Sequence, residues 1–297
     1  MKKFFLIIFV SLGLFSTLAY LYETVPAVRS FVKSSVKKAS TSTLKTKKLI
    51  RKGLAFNKIS TLEANFFPEE IIRTNKELLI ACTHGTLSTP QLMFFPYLLL
   101  DVKFSQGGIF KSDTNEGFVL WSLVDGEMVL DTSTWERSKG FEDCLIFSAN
   151  KENFKILKTL SFLGGVASRE NLYSILGESK KKVDAWISDC CYKNLVTTNG
   201  SKVRLHFKHP KLEIRPYTEF KHPIVSYKIP KNIKIKHQEY SPAQVKEIAY
   251  LAFGPDFVIR REKKIFIPVY ELTIVNPDGS IWVSYWNAIN NKRLDIS

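Results

Sequence analysis

The residues of this chain that are able to do chemistry fall in a few short stretches. Cys82 and His84 stand two apart, so on extended backbone they point the same way, but no third group orients the histidine as a thiolate–imidazole pair needs. His206 and His209, with His222 in a second Lys-His-Pro, put two imidazoles on a strand and loop, and two ligands cannot close a zinc site. Asp125, Glu127 and Asp131 form an acidic hairpin resembling paired carboxylates, although an Asp before Gly126 already has a turn to make. The nucleophile elbow, the phosphate loop, HExxH and the dinucleotide glycine pattern are absent from the sequence. No catalytic residue, cofactor or metal is therefore expected, and the chain reads as a non-enzyme.

Charge is the stronger signal. The 297 residues carry a formal +15, unevenly spread. Residues 1–60 hold 12 Lys and Arg against 1 acid, residues 61–150 hold 6 against 13, and residues 151–210 hold 11 against 5. The first cluster comprises Arg29, Lys33, Lys37, Lys38, Lys45, Lys47, Lys48, Arg51 and Lys52, and follows a charge-free run over residues 4–22. Beside such a run, these cations are expected to meet anionic lipid headgroups. The run is long enough as a helix to cross a bilayer, which predicts an uncleaved anchor in a bacterial-type inner membrane, with a signal peptide cleaved after Ala19 or Ala27 as the alternative. The balance of flanking positive charge leans the body to the cytoplasmic side, with an exported body as the alternative.

The elements that must position the other basic residues can be read from hydrophobic spacing. Phe154, Leu157, Leu160 and Leu163 mark one helix, ended by Gly164-Gly165. Ser168 caps a second, carrying Leu172, Ile175 and Leu176 and closed by Gly177. Ser179 opens a third with Val183, Trp186, Ile187 and Cys190 inward, and a hairpin follows through Asn199-Gly200. This order over residues 152–209 resembles the winged helix-turn-helix superfamily. The resemblance implies a third helix able to enter a major groove, with a wing on the phosphate backbone. Lys180, Lys181 and Lys182 would open that helix, and Lys202, Arg204 and Lys208 would lie on the outward face of the wing. Against base reading, Asp184 and Asp189 are expected on the exposed side, and the helix lacks Arg, Asn and Gln.

Flanking this unit, Thr89-Pro90 reads as a helix start, and residues 118–124 return through Asp125-Gly126 as a hairpin. Ser241-Pro242 starts a helix stopped by Gly254, and strands follow over 257–260, 265–275 and 280–285 with a turn at Asn276-Pro277-Asp278-Gly279. This helix-then-strands order is similar to a PepSY-type module. Four cysteines without a CxxC pair are expected to be small core residues rather than a disulfide framework.

The expected fold class is α+β: an N-terminal transmembrane helix, a mixed α/β region, a winged helix, and a C-terminal helix plus antiparallel meander. The expected segments are 1–23 (anchor), 24–60 (basic tether), 61–150, 151–210 (winged helix), 211–239 (linker) and 240–297. The expected role is a membrane-anchored module that docks an unknown protein partner or organises an assembly. A tethered DNA-binding regulator is the alternative.

Overall fold

A computed structural model describes residues 57–80, 85–108, 111–229 and 233–294. Its framework is one large sheet around two long strands, β3 (Gln91–Gly108) and β12 (Val258–Val275), which pair antiparallel from Val258↔Lys103 to Pro268↔Phe94. On the far side of β3 lies β4 (Lys111–Ser122), followed outward by β5 (Met128–Asp131) and β6 (Glu136–Arg137). On the far side of β12 lies β1 (Asn57–Leu62), meeting it in parallel at Thr61↔Phe266 and pairing antiparallel with β10 (Ile224–Ile229). The end of β12 pairs with β13 (Ile281–Asn287), which carries β14 (Arg293–Leu294), and with β2 (Thr86–Leu87), while β11 (Lys234–Ile235) runs parallel to β3.

Residues 92–100 of β3 are a nearly unbroken apolar run because both faces of this strand are covered. Leu98, Leu100, Val102 and Phe104 join one core with Val119 and Trp121 of β4. Met93, Phe95, Tyr97 and Leu99 join the opposite one with Ile265, Ile267 and Val269. Pro96 and Pro268 sit inside these central strands without a cost in pairing. The Pro96 carbonyl accepts from Leu123 N–H (3.1 Å) and that of Pro268 from Ala288 N–H (3.0 Å). Each missing donor thus faces the side on which the neighbouring ladder ends, at Tyr97↔Ser122 and Val269↔Asn287.

Helices cover the first face. These are α3 (Phe141–Ile146), α4 (Lys151–Phe162) and α7 (Pro242–Phe253), and their apolar residues Phe141, Phe154, Leu157, Val245 and Ile248 complete the core under Trp121. Two short helices, α1 (Pro68–Thr74) and α2 (Lys76–Ile80), lie near the chain start. After α4 come β7 (Val166–Ser168), α5 (Arg169–Leu176), α6 (Lys180–Tyr192), β8 (Val196–Asn199) and β9 (Lys202–Leu205), the strands forming a small sheet in the order β7-β9-β8. Asn150 caps α4 by accepting from Asn153 N–H (2.9 Å), and Gly177 ends α5 in the left-handed conformation at φ 62°.

The expected fold class is corrected by this architecture. The described chain is a mixed α/β body with a large, mostly sheet framework, and strands on both sides of residues 151–210 belong to one sheet. Among the described residues no helix is long and apolar enough to cross a membrane. The run at 4–22, the tether, and Arg29, Lys33, Lys37, Lys38, Lys45, Lys47, Lys48, Arg51 and Lys52 lie outside the described residues, as do Cys82 and His84. Thr89-Pro90 leads into β3 rather than a helix, because the apolar run behind it is claimed by strand partners on both sides.

Candidate functional site

Helix α6 takes its position from the inward stripe of Val183, Trp186, Ile187 and Cys190, all buried. Its principal neighbours are α4, α5 and β8, which leaves the opposite face uncovered. Lys181, Ala185, Ser188 and Tyr192 lie on that face at the spacing of a single helical stripe, and all four are exposed. Tyr192 is 87% exposed. Sequence reasoning singled out the lysines and missed this stripe, although its spacing of four, three and four was legible beside the buried one.

The predicted cations are placed as follows. Lys180, Lys181 and Lys182 are exposed in the first turn of α6, while Lys202, Arg204 and Lys208 are exposed on and just beyond β9. Lys180 Nζ stands 5.7 Å from the Tyr173 ring, and Lys182 Nζ is 2.9 Å from Glu178 and 5.3 Å from the Trp186 ring. Lys202 and Arg204 alternate with buried Val203 and Leu205, so β9 presents its charge outward and its apolar residues to the core.

The two carboxylates expected to spoil this face do not stand free on it. Asp184 accepts from Tyr173 Oη (2.8 Å) and is paired with the Arg169 guanidinium on α5. The hydrogen bond from Tyr173, helped by Arg169, holds the Asp184 carboxyl below the ordinary range. Asp189 accepts from Asn153 Nδ2 (2.8 Å) and Asn150 Nδ2 (3.2 Å), with Lys193 Nζ at 3.4 Å. Those contacts, Asn153 first, also lower its pKa. Each charge has a basic partner within the helical unit that offsets it, while the two side chains remain 42% and 39% exposed.

The acidic hairpin resolves into structural roles. The Asp125 carboxylate pairs with the Arg137 guanidinium. Asp131 accepts from Ser133 Oγ (2.7 Å) and Ser133 N–H (2.6 Å), and Ser133 holds its pKa down. Glu127 is buried, accepting from Ser138 Oγ (2.5 Å) and from the Gly140 (2.7 Å) and Glu142 (3.1 Å) N–H groups. Burial nevertheless pushes its pKa up to about 7. The turn is also longer than the expected two residues, since Ser122 N–H donates to the Glu127 carbonyl (2.9 Å) across residues 123–126.

The remaining histidines stay apart. His206 Nε2 lies 3.1 Å from Asp143, His222 Nδ1 lies 3.1 Å from Asn65 Nδ2, and His209, three residues after His206, is exposed. Cys144 and Cys190 are buried, where desolvation raises both thiols, and Cys191 is half-buried; none of the three is in a disulfide. No family model matches this chain, and no curated protein or solved structure matches it.

Proposed function

We propose that residues 151–210 act as a winged helix-turn-helix unit that docks an acidic protein partner, without chemistry of its own. The observation that carries this reading is the uncovered stripe on α6. Ala185 and Ser188 are small enough to let a partner's backbone approach, Tyr192 supplies an exposed aromatic anchor, and Lys181 begins the stripe. Lys180, Lys182, Lys202, Arg204 and Lys208 would surround that contact with positive charge, complementing carboxylates and guiding encounter. The stripe contains no guanidinium or amide of the kind that reads base edges in pairs of hydrogen bonds.

Duplex nucleic acid is the second reading, favoured by one observation: Asp184 and Asp189 are neutralised by partners within the unit. A photo-crosslinking residue at position 192 separates the two. The docking reading expects crosslinks to acidic segments of one protein, resistant to nuclease and lost in Lys181→Glu with Lys202→Glu. Tight binding to a defined duplex at physiological salt, falling steeply as salt rises, would replace docking with nucleic-acid binding.

A further inference from the structure

A cleft of about 700 Å³ opens between the β6–α3 segment, residues 209–211 and the β13–β14 hairpin, beginning one residue beyond Lys208 of the wing. One wall holds an arrangement that ordinary folding energetics does not favour. Lys139 and Lys211 are direct cross-strand partners: Lys139 N–H donates to the Lys211 carbonyl (3.3 Å) and Lys211 N–H to that of Lys139 (3.0 Å). Like charges placed directly opposite in this way repel. Arg137 precedes Lys139 by two residues and His209 precedes Lys211 by two, and all four line the cleft. His209 does so from a left-handed backbone conformation at φ 55°, which is uncommon for a residue other than glycine. Arg293 lines the cleft from β14, its guanidinium 5.1 Å from the Trp282 ring.

Part of this charge is compensated. Asp125 pairs with Arg137, and Glu136 lies 2.7 Å from Lys211. Glu127 and Glu142 also line the cleft, but the Glu127 carboxylate already accepts three hydrogen bonds from Ser138, Gly140 and Glu142. Lys139, His209 and Arg293 form no ion pair within 4.0 Å among the described residues, although the Lys139 charge reaches the Asp143 carboxyl and Arg293 lies over Trp282. They stand on three separate segments around one cavity, so an anion bridging them would need oxygens facing more than one wall. A phosphate group presents such oxygens, and lysine and arginine both hold it with charge-assisted hydrogen bonds.

We propose that this cleft binds a compact phosphate-bearing anion, with Lys139 and Arg293 as its main contacts and His209 at its edge. The proposal is independent of the docking face, since the stripe on α6 contributes nothing to the cleft.

The test is calorimetric titration of the full-length protein with inorganic pyrophosphate. One saturable site is expected, weakened at least about tenfold by Lys139→Ala or Arg293→Ala, the scale of losing one hydrogen bond to a charged group. Lys202→Ala, on the wing, should leave it unchanged. Calorimetric titration with monomeric short-chain phosphatidic acid, which offers no bilayer to the basic N-terminal segment, separates the two sources of phosphate. Binding of that lipid which Lys139→Ala abolishes, with pyrophosphate inert, assigns the anion to a lipid headgroup and still supports a phosphate site. Binding of neither probe, or binding retained by the folded Lys139→Ala/Arg293→Ala double variant, overturns the proposal.

Discussion

Glu127 accepts the backbone N–H of Gly140 at 2.7 Å, so a carboxylate from the turn after β4 holds the start of α3. Its pKa stands at about 7 against an ordinary 4.5, so the folded chain binds this proton more tightly than the unfolded one. The sign follows directly: this group's contribution to stability is present below pH 4.5 and falls as pH rises to about 7. The loss is on the order of 3 kcal/mol. Glu127→Gln keeps an acceptor for Gly140 and Glu142 without the charge. Urea unfolding of both proteins between pH 4.5 and 7.5 should show the variant gaining on the parent as pH rises; parallel curves would exclude the linkage.

Arg137 compensates Asp125, whose side chain is only 8% exposed. Arg137→Ala leaves that carboxylate buried without a counter-charge and should cost about 3–5 kcal/mol in chemical denaturation. Adding Asp125→Asn should restore much of the loss. An additive double variant would show that the two groups do not act as a pair.

Trp186 closes the core between α4 and α6, with Lys155 Nζ 4.6 Å from its ring. Trp186→Ala should destabilise the chain by about 3–5 kcal/mol, the scale for emptying a core aromatic site. A loss near zero in the unfolding midpoint would mean that α6 is not held through this side chain.

Gly140 has φ 118°, and a Cβ there would lie 2.5 Å from the Phe207 ring. Gly140→Ala should cost about 1–3 kcal/mol through overpacking alone. Phe207→Leu in the same chain should make the two changes less than additive, because it relieves the clash. Thermal unfolding of the four proteins measures this coupling, and strict additivity would place the cost in the backbone instead.

Local punctuation was legible in the sequence. Gly164 and Gly165 do end α4, Ser168 and Gly177 bound α5, and Ser241-Pro242 and Gly254 bound α7, because caps and left-handed glycines act within a few residues. Partners far along the chain were not legible. The polar stretch at 261–264 looked like a break between two strands, yet β12 passes through it with an irregularity between Ile259 and Arg261, held by β3. Helical spacing alone put Asp184 on an outer face; its satisfaction depends on Arg169 and Tyr173 of the preceding helix. The cleft was missed for the same reason. Arg137-x-Lys139 and His209-x-Lys211 are unremarkable until the backbones of Lys139 and Lys211 meet.

The pairing of β3 with β12 has a consequence for biosynthesis. About 150 residues separate the two strands, so at roughly 5–20 residues per second the ribosome takes on the order of ten seconds to deliver the second. Meanwhile the β3–β4 hairpin waits with one backbone edge open and apolar side chains on both faces. The helical unit at 151–205, whose contacts are mostly short in sequence, is able to form within that interval. Its α4 then shelters one face of the nascent hairpin, leaving the open edge and the face of Phe95, Tyr97 and Leu99 to be covered only when β12 arrives.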